Sequence, residues 1–410
     1  MKLLFIGLNY APEPVGIGPY TAGLAQALAQ AGHEVEVIAG RPYYPQWRPY
    51  PDQPDGIVRS MEAGVGITRV PHYIPREPTG ARRIVHHLSF AASAWRPAMA
   101  AARRGADLVL AIAPSLLSVP VARRAARLAG CPLWLHVQDF EVEAAFATGL
   151  VGGRSVLGKA ALKLEAAVLG TADIASSISP SMCAKLAEKG VPADRIVELR
   201  NWSNAMIDPD RAQPVRYRSE WGTTERKVAL YSGNIANKQG LEIVIEAARL
   251  LRERADIAFV ICGEGPNRAR LEALACDCPN VQFHDLQPAG RMGDFLTFAD
   301  VHLLPQIVGA ADLVLPSKLT NMLASGKPVV ATAAPGTGLY QEVEGCGINT
   351  PPGDAGALAQ AVARLVDDPA LAARLGDEGR RRARERWSLG AALATVERQL
   401  ARLQPRVRSS

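Results

Sequence analysis

Lysines that follow glycine-bearing strand ends are the residues of this chain best suited to chemistry. In Tyr231-Ser232-Gly233-Asn234-Ile235-Ala236-Asn237-Lys238-Gln239-Gly240 a loop leads from an apolar run to a lysine at the start of a helical pattern. A cation there can neutralise a phosphate, above all a diphosphate that gathers charge as a bond breaks. A second lysine stands in Pro316-Ser317-Lys318-Leu319-Thr320-Asn321, where Ser317 reads as the N-cap of a short helix ended by Gly326. A lysine in a first helical turn opposes the helix dipole, which points to a bound anion. Asp312, just upstream, is the only acid between Val301 and Gln341 and can accept from sugar hydroxyls. Gly263-Glu264-Gly265-Pro266 is another strand-to-helix turn, one that lets a nucleobase or ribose rest against backbone. The competing readings are surface lysines and a helix-start turn with proline in its first turn.

The first half offers two further places. Pro14-Val15-Gly16-Ile17-Gly18-Pro19 lies between the first apolar run and the first helical pattern. Gly16 and Gly18 allow close backbone approach to a ligand, and the helix N-terminus offers N–H groups to anionic oxygens; a tight turn is the alternative. The segment is not a dinucleotide fingerprint, because G-x-G-x-x-G does not follow the strand directly. The second strand also ends Val37-Ile38-Ala39-Gly40, with no acid for a ribose. A NAD-dependent dehydrogenase is therefore disfavoured. Leu135-His136-Val137-Gln138-Asp139 closes a later strand. At a strand's carboxyl end, His136 or Asp139 can bond a sugar hydroxyl or act at a reacting centre. A buried, internally satisfied histidine is the other reading of His136.

What must hold these residues is a pair of layered sheets. Strand patterns near 2–8, 34–39, 107–113, 132–138, 173–179 and 196–201 alternate with helical ones near 20–30, 116–129 and 155–169. Residues 203–226, with Pro209 and Pro214, read as a linker. The alternation restarts near 227–233, 257–263, 281–286, 301–305 and 328–332. The expected fold is α/β, with two Rossmann-like doubly wound domains, residues 1–203 and 204–378, facing a cleft. A helical tail, 379–410, is expected to pack back toward the first domain, with Arg380, Arg381, Arg382 and Arg384 on a solvated face, a lipid or acceptor patch being the alternative. A length of 410 residues suits two domains.

A net charge of +6 favours anionic partners. The 6 cysteines lack zinc spacing and read as reduced core thiols. Asp208-Pro209-Asp210 reads as a turn rather than a metal motif. No apolar run is long enough to span a bilayer, and the opening Met1-Lys2-Leu3 reads as a first strand, so a cytoplasmic protein is expected. No aromatic–basic ladder points to nucleic acid. Residues 82–102 carry Ile84, Leu88, Ala91, Trp95 and Met99 on one helical stripe with Arg82, Arg83, His86 and Arg96 around it. That stripe reads as core, with contact to an anionic membrane as the alternative, and Pro97 marks a kink or a new helix.

In their order and spacing several segments resemble the family-4 retaining glycosyltransferases of GT-B fold, in particular those of colanic-acid-type exopolysaccharide and O-antigen fucosamine assembly. They are Asn9-Tyr10-Ala11-Pro12-Glu13 with Gly16 and Gly18, the Ser232-to-Gly240 loop, Pro316-Ser317-Lys318-Leu319 leading to Gly326-Lys327-Pro328, and Pro351-Pro352-Gly353-Asp354. The resemblance covers nearly the whole chain. It implies a nucleotide-sugar donor, GDP-fucose or a UDP-sugar, bound by Gly16, Gly18, Asn234, Lys238, Gly263, Glu264, Gly265, Ser317, Lys318 and Asn321. It implies His136 near the donor sugar, with Asp139 and Asp312 as further catalytic candidates. It also implies retention at the anomeric carbon, no metal or other cofactor, and a lipid-linked saccharide acceptor met at the cytoplasmic face of the inner membrane. Two positions depart from the family pattern. Asn234 stands where an arginine is usual. Asn321 stands at the second of two usual glutamates, with only Asp312 near the first. Lys318 would restore the missing charge. The alternatives are a nucleotide-sugar epimerase of the same fold and a non-catalytic, glycosyltransferase-like partner subunit.

Overall fold

The computed structural model describes residues 1–51, 54–140, 156–203, 207–236, 239–307 and 316–403. The chain divides into two compact units, Met1–Asn201 with the residues from Ala392 onward, and Trp202–Ala391.

The first unit carries strands β1 (Lys2–Gly7), β2 (Glu34–Gly40), β3 (Val58–Glu62), β4 (Val65–Val70), β5 (Leu108–Ala113), β6 (Leu133–Val137), β7 (Ile174–Ser177) and β8 (Ile196–Glu198). Its described helices are α1 (Gly18–Gln30), α2 (Gly80–Arg103), α3 (Val119–Ala129), α4 (Val156–Leu169) and α5 (Pro180–Glu188). The strands lie in the order β3-β4-β2-β1-β5-β6-β7-β8, parallel apart from the β3/β4 hairpin. Continuous apolar runs make this possible: every residue of β5 and β6 is buried, as expected of strands covered on both faces. Helix α3 shows the complementary pattern. Val121, Ala122, Ala125 and Ala126 face the core, while Arg124 and Arg127 are exposed.

The second unit carries β9 (Lys227–Ser232), β10 (Ile257–Cys262), β11 (Val281–His284), β12 (Val301–Leu304), β13 (Val329–Thr332) and β14 (Gly347–Thr350). Its helices are α6 (Val215–Glu220), α7 (Glu242–Leu250), α8 (Arg268–Leu274), α9 (Met292–Thr297), α10 (Ser317–Ala324), α11 (Gly338–Val343), α12 (Ala355–Asp367) and α13 (Pro369–Arg386), followed by α14 (Leu389–Leu403). The sheet order β11-β10-β9-β12-β13-β14 is parallel throughout. Strand order therefore reverses between β1 and β5 in one sheet and between β9 and β12 in the other. Ligands of open α/β sheets bind beyond the carboxyl ends of the strands at such points.

Several expectations need correction. The described residues among 203–226 are not a linker: they belong to the second unit and include α6, whose fully buried Tyr217 packs against Trp221, Phe295 and Phe298. The two units divide after Asn201 and after Ala391. The tail is two helices separated at Trp387-Ser388. Within it Arg380 pairs with Asp210, and Arg382 donates to the Glu342 carbonyl across 2.7 Å, so only part of the arginine run faces solvent. From Ala392 on, α14 belongs to the first unit, where Glu397 bonds His33 at 2.9 Å. Helix α2 runs unbroken through Pro97. Its stripe splits: Ala91 and Met99 are buried, but Ile84, Leu88 and Trp95 are 55%, 50% and 45% exposed. Among the described residues no helix is long and apolar enough to cross a membrane.

Candidate active site

In the second sheet one side of the reversal point is built from interlocked backbone. Beyond β9 and β10, Gly233 N donates to the Cys262 carbonyl at 2.9 Å, Ile235 N to the Glu264 carbonyl at 2.8 Å, and Asn267 N to the Ile235 carbonyl at 3.2 Å. At two glycines the loops leave no room for a side chain. A Cβ on Gly263 would run into the Gly233 carbonyl, and one on Gly265 into the Ile235 carbonyl. Both glycines also hold φ values of +151° and +158°, which side-chain-bearing residues rarely adopt. On the other side of β9, Gly240 abuts Ile307, which follows β12.

Lys318 crosses this point. It leaves α10 half-buried, donates from Nζ to the Tyr231 hydroxyl at 2.7 Å, and lies 4.4 Å from that ring's centre, against Gly233. Burial pushes the Tyr231 hydroxyl pKa well up, so it keeps its proton and donates it to the Asn234 carbonyl at 2.6 Å. The structure thus joins Asn234, Gly263, Glu264, Gly265 and Lys318 in one strand-end cluster. Ser317 is the first helical residue, and Pro316 takes the cap position that the sequence reading gave to Ser317. Asn321 follows Lys318 by one helical turn. Glu264 pairs with Arg268 at 3.0 Å; the Arg268 guanidinium also reaches the Gly263 carbonyl at 3.0 Å and Asp285 at 2.7 Å. Lys238 and Asp312 lie outside the described residues.

In the first sheet the loop after β1 folds around a buried carboxylate. Glu13, 2% exposed, accepts from Asn9 Nδ2 at 2.9 Å and from the backbone N–H groups of Tyr43 and Tyr44 at 3.0 and 3.1 Å. Burial pushes its carboxyl pKa up. Gly18 packs on Glu13, and Gly16 against the Tyr44 ring. Both glycines therefore fit a scaffold that shapes the loop. His136, next to last in β6, is 4% exposed, its Nδ1 2.9 Å from Ser176 Oγ. Burial lowers its pKa to about 4 against an upward pull from the Ser176 backbone, so the ring is neutral at ordinary pH. Asp139, two residues past the strand, is exposed. Gln138 between them accepts from Asn201 at 3.0 Å.

Tyr231, Glu13, Ser176 and Arg268 were not anticipated as site residues. Arg268 left a signal in its i+4 spacing from Glu264, and Glu13 in the Asn9-to-Glu13 segment that resembles the family. The others sit in apolar or turn-like stretches, and their partners are distant in sequence. Among the described residues no group of His, Cys, Asp or Glu is placed to hold a metal ion, and Asp208-Pro209-Asp210 forms a turn in which Asp210 N donates to Asp208 at 3.1 Å.

Two parallel Rossmann-type sheets in one chain, with glycine-lined loops and a lysine at a carboxyl edge, define the class: a glycosyltransferase of GT-B fold. Residues 15–202 match the "Glycosyl transferase 4-like domain" and residues 216–382 the "Glycosyl transferases group 1". WcaI of Escherichia coli (strain K12), assigned to colanic acid biosynthesis as a glycosyl transferase, is 40% identical over 353 residues, 84% of this chain and 86% of that protein. The chain belongs to this family of 4-like, group 1 glycosyltransferases. The fold recurs in the sucrose-phosphate synthase of Thermosynechococcus elongatus, with TM-score 0.67 and 21% identity over 98% of this chain and 99% of that one. It recurs again in Anabaena HepE, solved with UDP, with TM-score 0.68 and 15% identity over 98% of this chain and 100% of that one.

Proposed function

We propose that the protein moves a hexosyl or deoxyhexosyl group from a nucleoside-diphosphate donor, GDP-fucose or a UDP-sugar, to a lipid-linked saccharide in colanic-acid-type exopolysaccharide assembly. Transfer proceeds with retention and without a metal. The carrying observation is Lys318, a cation laid over the β9 strand end where the strand order reverses. When the glycosidic bond to the diphosphate breaks, negative charge gathers on the leaving oxygen. Lys318, the first-turn N–H groups of α10 and Lys238 are the groups proposed to meet it. The kinship with WcaI and the UDP held by HepE support the donor class and the pathway.

The acceptor reading draws on α2. This helix carries Arg82, Arg83, Arg96 and Arg103 and no acid, while Ile84, Val85, Leu88 and Trp95 are exposed. Beside it runs an apolar groove of about 660 Å³ lined by Ile57, Pro71, Leu88, Ala92, Trp95 and Val121. A helix with apolar and basic exposed residues suits the surface of an anionic bilayer, here the cytoplasmic face of the inner membrane, where a lipid-linked acceptor would be met.

The test is a thermal-shift panel of GDP- and UDP-sugars, since a bound donor raises apparent stability. Turnover with a short lipid-linked saccharide follows, in the presence and absence of a chelator, with the anomeric configuration of the product read by NMR. Donor consumed without acceptor would make the protein an epimerase. No shift with any nucleotide would make it a non-catalytic subunit. An inverted product or chelator-sensitive turnover would overturn the mechanism.

A further inference from the structure

We infer that Ser176 is a positioning residue for His136: bridging Trp134 and His136, it fixes the imidazole in the tautomer protonated on Nε2, so that His136 presents a hydrogen-bond donor to the transferred sugar or its phosphate. The role rests on the proposed donor reading; the wiring does not.

The strand register brings the three together. Trp134 and His136 are two apart on β6 and so share a face, and His136 is paired directly with Ser176 on β7. Ser176 Oγ lies 2.7 Å from Trp134 Nε1 and 2.9 Å from His136 Nδ1. An indole N–H only donates, so Ser176 accepts from Trp134 and its single proton remains to be placed. Trp134 and Ser176 are both 0% exposed and His136 is 4% exposed, which keeps bulk water from the hydroxyl.

Two arrangements are possible for a neutral ring. If His136 carried its proton on Nδ1 and gave it to Ser176, the serine would accept twice. Its own O–H would then be buried with no acceptor among the described residues. If Ser176 instead donates to Nδ1, the serine hydroxyl, the indole N–H and Nδ1 are all paired and the imidazole proton sits on Nε2. A buried unsatisfied hydroxyl is the costlier choice, so the second arrangement prevails over the opposing pull of the nearby Ser176 backbone. Nε2 is then a donor. A donor suits a sugar oxygen or a phosphate oxygen; it cannot take a proton from an acceptor hydroxyl.

The experiment is a long-range ¹H–¹⁵N NMR spectrum of the full chain with labelled histidine, His136 being assigned by the signal lost in His136→Gln. A proton on Nε2 and a bare Nδ1 are expected. In Ser176→Ala the two tautomers should mix, and kcat should fall about tenfold with donor KM nearly unchanged, the loss expected for one hydrogen bond. Ser176→Thr keeps the hydroxyl and should restore both. A wild-type ring protonated on Nδ1, or a Ser176→Ala ring with an unaltered tautomer, overturns the inference. A changed tautomer with unchanged kcat overturns the positioning role. If His136→Gln itself transfers sugar normally, it is the donor reading that falls, whatever the spectrum shows.

Discussion

Lys318 Nζ donates to the Tyr231 hydroxyl across 2.7 Å while lying 4.4 Å from the centre of the same ring. The residues come from α10 and β9, on either side of the point where the second sheet reverses its strand order. A lysine is a flexible point charge, and this pairing gives it a fixed address. It also links the lysine, through the Tyr231 hydroxyl, to the Asn234 carbonyl.

Lys318→Ala should lower kcat/KM for the nucleotide-sugar about 10- to 100-fold, the range of a lost charge-assisted hydrogen bond. Tyr231→Phe should cost less, since it loosens the lysine without removing its charge. Steady-state kinetics and calorimetry with the free nucleoside diphosphate read both. Unchanged affinity and turnover in Lys318→Ala would remove Lys318 from the donor site.

The interlocked loops beyond β9 and β10 give a second expectation. Gly263→Ala and Gly265→Ala each drive a methyl group into a carbonyl at a strained φ. Each should destabilise the protein by about 1–3 kcal/mol and weaken nucleotide binding alongside. Denaturant unfolding and thermal shift measure this; a wild-type melting temperature in either variant would show that the loops separate freely.

Much of this arrangement was legible in the sequence because parallel strands buried on both faces must read as apolar runs; β1, β5, β9 and β10 could hardly be anything else. The hairpin β3/β4 was missed because β3 is largely exposed, and β14 because it is short and opens on a glycine. The polar run before β9 looked like a linker because its anchors, Tyr217 and Trp221, are two scattered aromatics that reach Phe295 and Phe298 only after folding. The chemistry was half legible. Lys318 was marked by standing against the helix dipole, but its partner Tyr231 looked like one more core residue in a strand.

Buried histidines predict acid sensitivity. Burial lowers His72 and His302 to about 3, and His86 and His136 to about 4, from an ordinary 6.5. Below pH 6.5 the unfolded chain takes up protons that the folded one refuses, so folding stability is full above 6.5 and falls as the pH drops toward 4. Each histidine can contribute up to about 1.4 kcal/mol per pH unit in that window. Urea unfolding at pH 7 and pH 5 should show the loss, and His302→Gln should flatten the slope. Equal stability at both pH values would mean that these rings protonate in place.

The membrane reading makes the last expectation. The face of α2 with His86, Phe90, Ala94 and Ala98 is buried, so Leu88 and Trp95 contribute little to the core. Leu88→Asp with Trp95→Asp should therefore leave the melting temperature nearly unchanged, as exposed substitutions usually do. The same pair should abolish flotation with anionic vesicles, because a charge on the embedded face meets hydrocarbon. Arg82→Ser with Arg96→Ser should weaken flotation about tenfold or more at low salt and little at high salt, as screening removes the attraction that the arginines supply. Wild-type protein that ignores anionic vesicles at low salt would leave α2 without a bilayer to bind, and the lipid-linked acceptor would then have to be carried to the protein by other means.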